Sequence, residues 1–259
     1  MSSATSFYEQ LDETTFRATE ATVGPWDAAS QHAGPPSALL GRALELADPR
    51  EQLMLARVTT EILGPVPTPA DLTVTARVAR PGKRVEMVEA EMAHAGRPVM
   101  LARGWRIARV AADLPVDDAP RQPPPLPADS DPDPGNSGGY FTSMEWRWVN
   151  GHFTALGPAT VWARMRVPLV DGEEPSPWQR VLCLADSANG ISNRLPMADW
   201  LFINTELTVH LFREPVGDWV CMDAVSHAGT DGVGLATSRL FDAQGQVGRG
   251  AQALLIAER

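Results

Sequence analysis

The chain has 259 residues, of which 44% are hydrophobic and 21% are charged, and its formal net charge at pH 7 is −10. These proportions are typical of a packed globular protein and exclude an intrinsically disordered chain. Nucleic acid is excluded as a partner by the negative charge and by the scatter of Lys and Arg along the sequence, because a phosphate backbone is bound by clustered basic residues. A smaller anion held by a local group of Arg residues remains compatible with this composition.

The first residues and the two cysteines predict a soluble, cytoplasmic protein. The sequence MSSATSFYEQLDETTF lacks the basic and apolar regions of a signal peptide, and the chain contains no apolar run of about 18 residues that would span a membrane. Cys183 and Cys221 lie in apolar segments without the spacing of a disulfide framework or a metal site. We therefore expect buried free thiols in a reducing compartment.

The first half of the chain predicts a helix followed by strands. The segment QHAGPPSALLGRALELAD (31–48) repeats apolar residues on one helical face, with Pro35 and Pro36 in the first turn, where proline is tolerated. Alternating segments follow, for example Leu72 to Val78, and they end in the turn signals RPGKR and HAGRP. The segment TFRATEATV before the helix supplies a further strand.

Residues 113–139 form a compositional break. They hold eight of the 23 prolines and almost no large apolar residue. Proline removes backbone donors, so a sheet does not continue through this segment. We predict an N-terminal unit at 1–112, a proline-rich linker at 113–139 and a C-terminal unit at 140–259.

The second half repeats the pattern of the first. MEWRWVNG and TVWARMRVPL predict strands, and SPWQRVLCLADSANGIS (176–192) predicts a helix with Ser176 as N-cap, Pro177 as its first residue and Asn189-Gly190 as its stop. Strand segments at 200–212, 218–242 and 245–258 follow. Two similar units, each with one long helix followed by antiparallel strands, indicate an α+β fold built by internal duplication.

Three stretches carry a resemblance to a known family: HAGPPSALLGRALE (32–45), LCLADSANGIS (182–192) and the run at 202–258. With them the chain resembles the thioesterase-like superfamily of double-hotdog proteins related to type II acyl-CoA thioesterases. The resemblance implies two fused hotdog units that form one continuous antiparallel sheet with two central helices. It also implies hydrolysis of an acyl thioester where the units meet, by an Asp, a Thr or Ser, and a Gln around one water.

Transferred to this sequence, the resemblance places the acid at Glu206, the hydroxyl at Ser226 and the amide at Gln252. Glu206 is one methylene longer than the usual Asp, and a strict spacing count would put His227 at the hydroxyl position. Hydrolysis needs a base for the water and donors for the developing oxyanion, which are roles that these residue types can fill. Each also has a purely structural interpretation, as a polar residue on the solvent face of a sheet or, for Glu206, as a partner of Arg213.

His32 and Gly34 are the candidate substrate-binding residues of the first half. A helix that begins near Gly34 presents backbone N–H groups and partial positive charge, which suit a thioester carbonyl. We assign Gly34 as an oxyanion donor and His32 as a polar contact, with a simple turn or capping role as the alternative. Arg103 or Gly104 stands where a second Gln would be needed, so we expect one working site.

The sequence therefore favours an acyl-CoA thioesterase that needs no cofactor and no metal. Phosphate-loop, dinucleotide and serine-hydrolase motifs are absent from the sequence. A non-catalytic acyl-CoA or lipid-binding hotdog protein is the alternative, and the Glu at the Asp position favours it. A hotdog hydratase would need an Asp and a His on one short loop, a pattern that the sequence lacks. A fused pair can act as a monomer, whereas exposed sheet edges favour a homo-oligomer.

Overall fold

A computed structural model describes residues 4–110, 121–131 and 138–259. The first half contains one long helix, α1 (Gly34–Leu46), a 3-10 turn at Glu20–Thr22, and six strands. These are β1 (Tyr8–Gln10), β2 (Thr15–Ala18), β3 (Leu53–Ile62), β4 (Asp71–Arg80), β5 (Val85–His94) and β6 (Arg97–Ala108).

The second half adds three helices and seven strands. The helices are α2 (Gly139–Ser143), α3 (Pro177–Ala185) and α4 (Ala188–Ile191). The strands are β7 (Met144–Asn150), β8 (Ala159–Met165), β9 (Trp200–Asn204), β10 (Glu206–Leu211), β11 (Val220–Ala228), β12 (Val233–Asp242) and β13 (Gly245–Glu258). No helix in the described ranges is long and apolar enough to cross a membrane.

All 13 strands form one antiparallel sheet. Its order is β1-β2-β4-β5-β6-β3-β10-β13-β12-β11-β8-β7, with β9 paired to the far part of β13. Read outward from the central pair β3–β10, the two halves have the same order of elements. At this junction Thr59 lies opposite Thr208, and their hydroxyl oxygens are 3.0 Å apart.

Helices α1 and α3 lie antiparallel on one face of the sheet. Ser176 caps α3 by accepting a hydrogen bond from the Gln179 N–H (3.2 Å), and its own hydroxyl donates to Glu45 near the end of α1 (2.7 Å). At the other end, the start of α1 contacts the carbonyl of Cys183. Fully buried apolar side chains fill the space between the helices and the sheet: Leu39, Leu40, Leu44, Val181, Leu182, Leu207 and Val209.

The two predicted helices are present, but the second is shorter than expected. The chain leaves helical geometry after Ala185, and Asn189 and Gly190 lie inside the separate short helix α4 instead of ending α3. Asp186 and Ser187 form the link between the two helices. The strands predicted before each helix correspond to β2, β7 and β8.

The part of the proline-rich segment that the structure describes, residues 121–131, lies against the second half. Its carbonyls accept hydrogen bonds from Trp162 Nε1 at Pro124 (3.1 Å) and from Arg147 Nη1 at Pro127 (3.0 Å). Trp162 belongs to a small apolar cluster with Cys221 and Phe241, separate from the main core. Residues 113–120 and 132–137 of the predicted linker lie outside the described residues, and its last residue, Gly139, is the first residue of α2.

Replacement of Trp178 with Phe tests how the halves are held together. Trp178 is buried on α3, and its Nε1 donates to the carbonyl of Leu55 on β3 at 2.8 Å. Loss of this bond leaves a buried carbonyl unsatisfied, and we expect Trp178→Phe to lower the free energy of unfolding by about 1–3 kcal/mol. Urea unfolding measures the change. The matched control Trp105→Phe, at a partly exposed position on β6, is expected to change it less, and an equal loss in both variants would contradict the prediction.

Candidate functional site

Ser226 and Gln252 occupy one row across the helix-facing side of the sheet. Ser226 on β11 pairs with Ala236 on β12, and Ala236 pairs with Gln252 on β13. Residues directly opposite each other on neighbouring strands point to the same face. Ser226 and Gln252 are thus two strands apart, and their backbones are separated by about 10 Å. The small side chain of Ala236 between them leaves space for α4.

The Gln252 amide is fully buried and holds the link between α3 and α4. Its Oε1 accepts a hydrogen bond from the Asn189 N–H (3.1 Å), and its Nε2 donates to the backbone carbonyl of Asp186 (3.0 Å). Both polar atoms of the amide therefore have protein partners. Gln252 fixes the position of Asp186 relative to the sheet.

The hydroxyl of Ser226 meets that of Ser192 just after α4. The two oxygens are 2.8 Å apart, and Ser192 Oγ donates to the carbonyl of Ala188 (2.7 Å). Because the Ser192 proton is used in that bond, the Ser226 hydroxyl is the donor between the two serines. Ser226 is 4% exposed, whereas the side chain of the adjacent His227 is exposed, so Ser226 is the residue that faces the interior.

Glu206 lies on the opposite face of the sheet from Gln252. Along β10 the buried Leu207 and Val209 face the helices, so Glu206 and Thr208 point to the other side. The Glu206 carboxylate accepts hydrogen bonds from the Ala253 N–H and from Thr208 Oγ1, each at 2.9 Å. The assignment of Glu206 as the base beside Gln252 is therefore corrected. Arg213, considered above as its partner, pairs with Asp242.

Asp186 provides the carboxylate that sequence reasoning missed. It caps the end of α3 and is 3% exposed. Its Oδ1 accepts a hydrogen bond from Asn204 Nδ2 (2.8 Å), and its Oδ2 lies 3.2 Å from His32 Nδ1. Burial raises the pKa of this carboxyl from 3.8 to about 6, although the Asn204 hydrogen bond acts in the opposite direction.

The sequence contained a signal for this residue. Asp186 is the single acid of LCLADSANGIS, one of the three stretches that carry the family resemblance, and it follows five apolar residues. An acid inside an apolar helical run is unusual for a structural position and marks a candidate functional group. The transfer of the family resemblance placed the acid at Glu206 instead.

His32 reaches this carboxylate from the first half of the chain. Its ring stacks on Tyr140 with centroids 3.8 Å apart, and burial lowers the pKa of His32 to about 3, so the imidazole is neutral at pH 7. A neutral imidazole carries one proton. His32 Nδ1 accepts a hydrogen bond from the Gly34 N–H at 3.0 Å, and this places the ring proton on Nε2, which lies 3.4 Å from Ser187 Oγ. In the other tautomer the proton would be on Nδ1, 3.2 Å from Asp186 Oδ2.

Gly34 stands where α1 approaches α3 most closely. A Cβ added here would overlap the Cys183 carbonyl oxygen and lie 3.0 Å from His32 Nδ1, so the contact requires glycine. Pro35 and Pro36 have no N–H, so in the first three positions of α1 the Gly34 N–H is the sole backbone donor. Whether this donor is available to a ligand depends on which nitrogen of His32 carries the proton.

A narrow cleft opens beside Ser226 and α4. We call it the α4 cleft. Apolar and polar side chains line it, and Arg194, His227 and Ala228 are its exposed members. The lining residues that matter below are Asn189, Asn193, Phe202, Ser226, Leu254 and Ile256. The cleft lies on the Ser226 and Asn189 side of the cluster.

Two family profiles match the chain. The acyl-CoA thioesterase N-terminal domain matches residues 22–107, and the acyl-CoA thioesterase C-terminal domain matches residues 117–256. The second match alone covers more than half of the chain. The chain belongs to the acyl-CoA thioesterase family. Asp186, Ser226 and Gln252 all fall within the C-terminal domain match, whereas His32 and Gly34 fall within the N-terminal one.

Solved structures agree on the fold. A candidate thioesterase II from Thermobifida fusca is similar with a TM-score of 0.73 at 16% identity, covering 98% of each chain. A hot dog fold protein of unknown function from Alicyclobacillus acidocaldarius has a TM-score of 0.70 at 14% identity, over 96% of this chain and 95% of that one. The acyl-CoA thioesterase II TesB2 of Mycobacterium marinum has a TM-score of 0.65 at 16% identity, over 97% and 95%. No curated protein sequence matches this chain. At these identities the structural likeness establishes the hotdog fold, and it leaves the activity open.

Asp186→Asn should stabilise the protein at neutral pH. Because the pKa of Asp186 is raised, the folded state binds a proton more tightly than the unfolded state. The free energy of unfolding of the parent protein therefore falls as pH rises from about 4 to about 6, and it stays low above pH 6. An amide can still accept the Asn204 hydrogen bond without a buried charge. We expect a gain on the order of 2–3 kcal/mol at pH 8 that disappears near pH 4.

Urea unfolding at the two pH values measures this effect. Glu206→Gln, on the other face of the sheet, is the matched control and should change the free energy of unfolding by no more than about 0.5 kcal/mol at either pH. A variant Asp186→Asn that is less stable than the parent at pH 8, or equally shifted at both pH values, would show that Asp186 is not a destabilising buried acid.

Proposed function

We propose that this chain hydrolyses acyl-CoA thioesters at a single site formed by His32 and Gly34 from the first half and Asp186, Ser226 and Gln252 from the second. The observation that carries the proposal is the buried Asp186 carboxylate, which is positioned by Gln252 and contacts His32 across the junction of the two halves. Membership of the acyl-CoA thioesterase family supports this reaction class.

The architecture that we propose is a double hotdog, with units at 1–112 and 140–259 joined by the segment 113–139. The shared order of elements outward from β3–β10 supports a duplication. Each unit contributes one long helix, and the antiparallel packing of α1 on α3 brings the start of one helix to the end of the other. A site at this contact needs both units.

In the proposed reaction, Asp186 is the general base. A water attacks the thioester carbonyl carbon and gives its proton to the carboxylate; the C–S bond then breaks, and the thiolate takes the proton, leaving a carboxylic acid and free coenzyme A. A base acts best when its pKa lies near the working pH, and burial moves the pKa of Asp186 toward that range. Gln252 holds the backbone that carries this base, and Ser226 orients the water from the side of the α4 cleft.

Gly34 and His32 would stabilise the oxyanion together. When Asp186 is ionised, His32 donates its Nδ1 proton to the carboxylate, and the Gly34 N–H is released from its bond to Nδ1. The freed N–H then points to the space where negative charge develops on the thioester oxygen. The Gly34 N–H therefore becomes available to the oxyanion when the Asp186 carboxyl is ionised.

The two halves place different residues on the same row of the sheet, and this difference supports a single site. The row that contains Ser226, Ala236 and Gln252 continues across the junction to Thr60, whose hydroxyl lies 3.3 Å from Ser37 Oγ, and then to Ala102, Ala90 and Ala76 in the first half. Alanine offers no group to hold water or to bind a helix end. Arg103, considered above for this row, pairs with Glu89 on the opposite face.

A non-catalytic acyl-CoA or lipid-binding protein is the second candidate, and one observation favours it. The polar atoms of Gln252 and the hydroxyl of Ser226 are bonded within the protein, so that a water must displace some of these bonds. Release of thiol from a panel of acyl-CoAs separates the two functions. Binding of acyl-CoA without thiol release above the uncatalysed rate would establish the binding protein.

Substitution of the carboxylates tests the proposed base. Asp186→Asn is expected to lower kcat about 10²–10⁴-fold, because it removes the proton acceptor while keeping the shape of the side chain. Glu206→Gln is expected to keep kcat within about twofold of the parent, since the Glu206 carboxylate lies on the far face of the sheet, where it bonds to the Ala253 N–H and Thr208 Oγ1. The reverse ranking would restore Glu206 as the catalytic acid. Thiol release followed with a chromogenic disulfide measures both variants.

The pH profile tests the state of the base. With the pKa of Asp186 near 6, kcat/KM should rise about tenfold per pH unit below pH 6 and level off above it, after subtraction of the uncatalysed rate. The carboxylate must be ionised to accept the proton, which sets the sign of the dependence. A profile that is flat between pH 5 and 8, or that falls as pH rises, would exclude Asp186 as a general base.

A further inference from the structure

Asn193 has one polar atom that the rest of the described structure leaves without a partner. It follows α4, lines the α4 cleft and is 4% exposed. Its Nδ2 donates to the Gly190 carbonyl (3.1 Å), and its backbone carbonyl accepts the Gly157 N–H (2.7 Å). Its Oδ1 is buried, and no residue within the described ranges forms a hydrogen bond with it.

The unpartnered atom is an acceptor, and the local geometry fixes this assignment. The other amide atom faces a carbonyl oxygen, so it must be the nitrogen. Buried polar atoms are nearly always hydrogen-bonded in folded proteins, and an orphan at a cleft indicates a ligand group of matching chemistry. A ligand that satisfies Asn193 must therefore supply an N–H or O–H.

The residues around Asn193 limit the chemical class of ligand that can bind there. The cleft wall is apolar at Phe202, Leu254 and Ile256, and Ser226 and Asn189 form its inner side. In a thioester of coenzyme A or of a carrier protein, the first polar group after the sulfur is the amide N–H of the pantetheine arm, three bonds from the sulfur. A thioester carbon held near Ser226 and Asp186 would extend this arm outward along the cleft.

We propose that Asn193 is a positioning residue that accepts a hydrogen bond from the pantetheine amide nearest the sulfur and so makes the site selective for pantetheine thioesters. The inference rests on the proposed function. It adds the part of the substrate that the site recognises. Because Oδ1 is buried, entry of the arm requires the exposed segment after Asn193, beginning at Arg194, to move aside.

Two substrates that differ by one donor test the inference. One is the thioester of N-acetylcysteamine, and the other is the thioester of 2-acetoxyethanethiol, in which an ester oxygen replaces the amide N–H. We expect wild-type protein to prefer the amide about tenfold in kcat/KM. In Asn193→Leu the preference should fall to about one, because leucine offers no acceptor to the amide N–H.

The ratio separates this role from a structural one. Loss of the fold or of the attacking water lowers kcat/KM for both substrates together. Loss of the amide contact lowers kcat/KM for the amide substrate alone. Equal kcat/KM for both substrates in the wild type, or a tenfold ratio retained in Asn193→Leu, would overturn the inference. Comparison of the same acyl group on coenzyme A and on a phosphopantetheinylated carrier protein then identifies which source of the arm the protein uses.

A binding measurement keeps the test independent of hydrolysis. The thioether analogues of the two substrates cannot be cleaved, and titration calorimetry gives their Kd values. If the wild type releases no thiol but binds the amide analogue about tenfold more tightly, and Asn193→Leu abolishes this difference, the proposed hydrolysis is wrong and the recognition of the arm stands. Equal Kd values for both analogues in the wild type would contradict the recognition of the pantetheine amide by Asn193, whether or not the protein hydrolyses thioesters.

Discussion

The contact between the start of α1 and the end of α3 is the constraint on which the rest of the site depends. At Gly34 the backbone of one half meets the Cys183 carbonyl of the other with no space for a side chain. Because α1 and α3 are antiparallel, this contact brings His32 to Asp186. Any residue that forced the helices apart would separate the groups that the two halves contribute, even if each half kept its own fold.

The same contact explains how a carboxylate is kept in the interior. A buried acid is costly unless neighbouring groups stabilise it. Asn204 donates to one oxygen of Asp186, and His32 stands beside the other. These contacts leave the pKa of the carboxyl raised, so the site holds an acid that is easily protonated and poorly solvated. A group tuned in this way is typical of a functional site and unfavourable for stability.

The sequence predicts the helices and the repeated pattern, and two of the three polar residues that it proposes lie on the helix-facing side of the sheet. Ser226 and Gln252 follow from the resemblance, and both face the helices. The error at Glu206 arose in the transfer of the resemblance, and strand geometry makes its consequence large, because a shift of one residue along a strand turns a side chain to the opposite face. Leu207, the next residue, is the one that faces inward.

Asp186 could be recognised from the sequence as an acid inside an apolar helical run. The residues that contact it could not be recognised in this way. Its neighbours His32, Asn204 and Gln252 come from three other elements, and only the packed fold brings them together. The end of α3 also escaped prediction, since apolar periodicity continues past Ala185 while the backbone turns at Asp186 and resumes as α4. That break is what frees the Asp186 carbonyl and the Asn189 N–H for Gln252. The interruption of the helix and the attachment of the acid to the sheet are therefore the same structural feature, and a continuous helix here would have satisfied its own backbone and left Gln252 without a partner.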